Sequence, residues 1–125
     1  MLFDQRTRTA LREAGVDAET LRRVEDAAAE DARETADEVA AFFEAYDTVY
    51  SDMELTHSTS DYPEHAVEYA DLFTHSQDVR GFLRFDTWGV YVEGARVLGE
   101  DLVELTLGPT VDDRVRFAPD REALR

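Results

Sequence analysis

The spacing of apolar residues changes once along this chain, and that change constrains the fold more than any motif does. From Leu21 through Val24, Ala28, Ala32, Thr35 or Ala36, Val39, Phe42 or Phe43 to Tyr46, apolar or small side chains recur every three or four positions. Such steps trace one stripe of a helix. Later, Val103, Leu105 and Leu107 alternate with Glu104 and Thr106, and Val115 and Phe117 alternate with Arg114 and Arg116. A period of two belongs to strands with one face buried. A helical first half followed by a strand-rich second half predicts an α+β domain. The 125 residues fit one domain, residues 1–125, with a helical part over about 4–46 and a sheet part over about 48–118.

Local signals set the element boundaries. Asp4 is placed to cap a short helix that Gly15 stops, and Asp17 to cap the long one. The middle of the long stripe, EDAAAEDARETA, offers only alanine. Either another backbone approaches closely there, or the helix bends. Glu93-Gly94 reads as a two-residue hairpin, Gly99-Glu100-Asp101 as a second turn and Gly108-Pro109 as a third connection. The expected architecture is N-terminal helices packed on a mostly antiparallel four- to five-stranded meander sheet. Its expected core is Leu21, Val24, Val39, Phe42, Phe43, Tyr69, Phe73, Leu83, Phe85, Val103, Leu105 and Phe117.

Composition speaks about solvent. There are 29 acidic and 13 basic residues, a formal net charge of −16, and every base is arginine. Such a chain repels itself unless salt screens it, and in molar salt the Debye length falls to about 3 Å. The acids are spread along the chain, which favours adaptation to a salt-rich cytoplasm over an acidic tail for a basic partner. No cysteine is present, so disulfides and thiolate metal sites are excluded. The N-terminal residues are too polar for a signal peptide, no stretch is apolar enough to span a membrane, and no basic stripe suits nucleic acid.

Residues 57–65, HSTSDYPEH, open the most chemical segment. Asp61 with Glu64 has capping-box spacing, Pro63 suits a first turn, and Ala66, Tyr69, Ala70 and Phe73 follow at helical steps, so a helix is expected near 61–75. All three histidines, His57, His65 and His75, lie in this region, with Asp61 and Glu68 as neighbouring carboxylates. Imidazole and carboxylate together suit a divalent metal such as zinc, with Glu68 as a base toward bound water. Against that, His65 and His75 stand ten residues apart and no HExxH spacing occurs, so surface histidines on an acidic helix are the preferred reading and no cofactor is expected. Ser58 and Ser60 near His57 lack GxSxG and an oxyanion-hole turn.

A second candidate surface is RGFLRFDTWGVYV. A regular strand puts Phe82, Arg84, Asp86 and Trp88 on one face, with Tyr91 close by, where arginine holds an anionic ligand. The plainer alternative is an Arg84–Asp86 pair beside core aromatics. The long helix also offers a small-residue stripe for homodimerisation.

The stretches TVYSDMELTHSTSDYPEHAVEYADLFTH and RGFLRFDTWGVYVEGARVLG, the ending RVRFAPDREALR and the opening FDQRTRTALREAG are similar to a small family of uncharacterised proteins from halophilic archaea. The resemblance implies a salt-rich cytoplasm. It implies no activity, cofactor or site residue. The function expected is a non-enzymatic binding or protein-interaction module, with a metal-dependent protein as the alternative.

Overall fold

The computed structural model describes residues 3–53, 62–108 and 113–125. Two helices come first, α1 (Gln5–Glu13) and α2 (Ala18–Ala45). Their caps are those the sequence predicts. Asp4 accepts a bond of 2.7 Å from the Thr7 N–H, and Asp17 accepts one of 2.7 Å from Thr20. These bonds hold both carboxyls below the usual carboxylate range. Gly15, at φ +101°, turns the chain between the helices, and an Arg8–Glu25 ion pair ties them together.

Six strands follow: β1 (Thr48–Ser51), β2 (Glu64–His75), β3 (Asp78–Phe85), β4 (Gly89–Gly99), β5 (Leu102–Gly108) and β6 (Asp113–Ala118). They run as an antiparallel meander. β1 also pairs with β6, at Tyr50 with Ala118 and Ser51 with Phe117, so the sheet closes into a barrel. A 3-10 turn, Glu122–Leu124, ends the chain.

α2 runs unbroken for 28 residues, about 42 Å at 1.5 Å per residue. It lies against β2, β3 and β4. Its alanine section is explained by close approach rather than by a bend: Ala32 and Ala36 are buried with Val79, against Leu72 and Ala95. Farther along, Val39, Phe42 and Phe43 join the main core with Val49, Leu83, Phe85, Val103, Leu105 and Phe117. The Phe43 and Phe117 rings meet edge-on at 5.5 Å. Leu21 is buried as expected, but Val24, Tyr69 and Phe73 are exposed, at 44%, 51% and 57%.

Three expectations need correction. The sheet has six strands, not four or five. Residues 64–75, expected as part of a helix, form β2. The cause is a β-bulge. Val67 pairs with Phe85 but Tyr69 pairs with Arg84, so Glu68 is an extra residue. Inward positions are therefore His65 and Val67 before the bulge and Ala70 and Leu72 after it. One added residue breaks a period of two and leaves a pattern that imitates a helix. Finally, Glu93-Gly94 does not turn the chain. It is a second bulge inside β4, where Val92 pairs with Leu107 and Gly94 with Thr106. The expected turn at Gly99-Glu100-Asp101 is present between β4 and β5.

One glycine has no substitute. Gly81, at φ +151°, faces Leu72 across the β2–β3 ladder, and a Cβ there would stand 2.0 Å from the Asp71 carbonyl oxygen. The β2 and β3 backbones approach that closely at this pair.

Candidate functional site

Two places gather chemical side chains, one on each side of the sheet. The inner one stands at the barrel end where β1 stops and β2 begins. Register fixes it: Val49 opposes His65, and Ser51 opposes Phe117. Ser51 and His65 are both buried, with Oγ and Nε2 2.7 Å apart. The Met53 N–H donates to the same Oγ at 3.3 Å. The imidazole stacks on Phe85 at 4.9 Å and meets Trp88 edge-on at 5.6 Å. Burial pushes the His65 pKa down, against the pull of the Asp86 charge, so the ring is neutral at pH 7. A hydroxyl and an imidazole in contact make a nucleophile–base pair in principle. Here the serine has no exposed surface and aromatic rings wall the histidine, so the pair completes hydrogen bonding inside a packed interior.

Both flanks of this barrel end are tied down. The Arg116 guanidinium donates to Asp52 at 2.7 Å and to the Leu124 carbonyl at 3.0 Å. Arg121 donates to the Tyr62 carbonyl at 3.1 Å and lies 4.4 Å over the Tyr50 ring.

Among the described residues, the candidate metal ligands His65, Glu68 and His75 do not converge. His57 and Asp61, with Ser58 and Ser60, lie outside the described residues. His65 points inward near the start of β2. His75 is exposed at the other end, opposite Asp78, and ten residues of strand span about 33 Å. Glu68 is exposed on the bulge, with a carboxylate oxygen 3.6 Å from Arg84 Nε. Among the described residues, no group of three or more His, Asp or Glu side chains is placed to hold a metal ion.

The second candidate set divides. Trp88 does not share a face with Arg84. The turn after β3, closed by a 2.7 Å bond from the Phe85 N–H to the Trp88 carbonyl, carries the indole inward to His65 and Phe85. Arg84 and Tyr91 stay outside, and Asp86 is exposed in the turn. On that outer face a ladder of rings crosses three strands: Tyr69 to Phe82 at 6.4 Å, then Phe82 to Tyr91 at 5.3 Å. The Phe82 ring and the Arg84 stem occupy the space a side chain at Gly89 would need. Phe73 stands beside Arg80 in register, also outward. Tyr69, Phe73 and Tyr91 are each more than half exposed, at 51%, 57% and 60%.

Sequence reasoning missed both assemblies. Ser51 and His65 are fourteen residues apart and share a strand pair that pattern alone does not register. The outer ladder was hidden by the Glu68 bulge, which placed Tyr69 and Phe73 on an imagined helix core.

No helix among the described residues is long and apolar enough to cross a membrane. No curated protein and no solved structure matches the chain. Residues 1–122 match a family of unknown function (DUF7532), and the chain belongs to that family.

Proposed function

We propose that this protein is a non-enzymatic interaction module of a salt-rich cytoplasm, docking another polypeptide on the outer face of β2–β4. The observation that carries this reading is the exposure of Tyr69, Phe73 and Tyr91 around Phe82. Single exposed apolar residues are ordinary, but clustered aromatic rings on a sheet face mark an interface. Aromatics beside arginine, here Arg80 and Arg84, are the residue types that dominate binding energy at such contacts. In a chain of net charge −16, carboxylates are the default surface, so a patch of rings is the informative exception.

The inner face supports the same reading. His65 and Ser51 are enclosed by packing, and Ala32 and Ala36 of α2 are taken up by the sheet. The outer face therefore replaces the long helix as the proposed association surface.

A photo-crosslinking residue at position 91, with position 34 on the exposed side of α2 as control, tests this in cells making the protein. A polypeptide adduct from position 91 and none from position 34 is expected. No adduct from either sinks the docking reading. Stoichiometric zinc, manganese or iron in protein purified without chelator would instead favour the metal alternative. The salt setting has its own check: unfolding free energy should rise between ~0.1 M and ~3 M KCl as charge repulsion is screened.

A further inference from the structure

We infer that the occupant of this face is a second copy of the same chain, with the two sheets crossed at close to a right angle. The inference rests on the docking reading above. Its basis is the charge pattern around Phe82. Along β3, the outward neighbours of Phe82 are Arg80 on one side and Arg84 on the other. Across the strands, the same ring stands between Asp71 of β2 and Tyr91 of β4. Cations thus lie along one axis of the face, an anion and a ring along the other.

A two-fold contact repeats every interaction, residue i with j and j with i. Stacking the copies with strands aligned, in either sense, lays one β3 on the other and sets guanidinium against guanidinium, which is repulsive. Turning one sheet by a quarter lays β3 of each copy over the cross-strand axis of the other. One of the two arginines then meets Asp71 of the second copy, and the other meets the Tyr91 ring as a cation over an aromatic face. The spacings agree: outward neighbours lie about 6.7 Å apart along a strand, against about 4.8 Å between strands, a difference long side chains absorb. Orthogonal packing is one of the two standard ways sheets stack. Arg80 and Arg84 are 48% and 38% exposed at the side chain, and their contacts with Asp78 and Glu68 are loose, at 3.6 Å each. Both are able to turn to a partner.

Sedimentation velocity over a concentration series tests this, in the salt where each protein gives native circular dichroism. Two variants are needed: Asp71→Arg, and Arg80→Asp with Arg84→Asp. Wild type is expected to approach twice the monomer mass. Each variant alone should associate about tenfold more weakly or worse. Mixed in equal amounts they should recover the dimer, because one face is then wholly cationic and the other anionic at the facing positions. A wild type that stays monomeric, variants that dimerise like wild type, or a mixture that does not recover each overturns the inference. A monomeric wild type that still gives a foreign adduct from position 91 overturns the second copy alone and leaves the docking reading standing.

Discussion

The rings of β2–β4 fall into two sets separated by the thickness of one sheet. Inside, Phe85 and Trp88 close around His65, with Phe117 of β6 beside them. Outside, Tyr69, Phe82 and Tyr91 form a ladder of similar ring-to-ring distances, open to solvent. The contacts look alike pair by pair, but their free-energy consequences differ. An inner ring has left water on folding, so its removal leaves a cavity in a close-packed interior. An outer ring remains largely hydrated, and the gain from burying it is still available to a partner.

That contrast breaks or sharpens under substitution. Phe85→Ala should cost about 3–5 kcal/mol in denaturant unfolding, the range for emptying a buried aromatic site. Gly81→Ala should follow, at roughly 1–3 kcal/mol or more, because its Cβ meets backbone and its φ disfavours a side chain. His65 supplies a pH-dependent effect. Its folded pKa is lowered from 6.5 by burial, so below pH 6.5 the unfolded chain binds the extra proton. Stability contributed by the neutral ring is present above pH 6.5 and is lost as pH falls toward the folded pKa, at up to about 1.4 kcal/mol per pH unit. His65→Gln, which keeps a hydrogen-bonding group near Ser51, should remove that dependence in unfolding curves taken between pH 7 and pH 5. Smallest is Tyr91→Ser, expected to change stability by less than about 0.5 kcal/mol while weakening self-association by sedimentation. If Tyr91→Ser costs as much as Phe85→Ala, the two sets are not energetically distinct and the outer face loses its claim as an interface.

The same contrast shows what was legible in the sequence. Both helix caps, the α2 stripe and the alternation of β5 and β6 are local, and each was readable because nothing interrupts its period. β2 was not. Ala66, Tyr69 and Phe73 fall at helical steps by accident of the bulge, and all three point outward. Asp61 and Glu64 supplied a plausible capping box, yet Glu64 is the first residue of a strand. Of the candidate ligand residues, Arg84 and Tyr91 lie on the outer face, whereas Trp88 packs inward against His65 and Phe85. The inner pair of Ser51 and His65 depends on the β1–β2 register and on closure onto β6, which neither strand's own sequence encodes.

The bulge at Glu68 also bears on how this strand tolerates a change of length. Losing one residue from a half-buried strand ordinarily turns everything beyond it inside out. Here, removing Glu68 would restore strict alternation with His65, Val67, Ala70 and Leu72 all still inward. The shortened chain should fold, forfeiting a local bend and the loose Arg84 contact. Removing Ala70 should scramble the β2–β3 pairing. Insertions and deletions in this family are therefore expected to fall at position 68 before they fall anywhere else in β2.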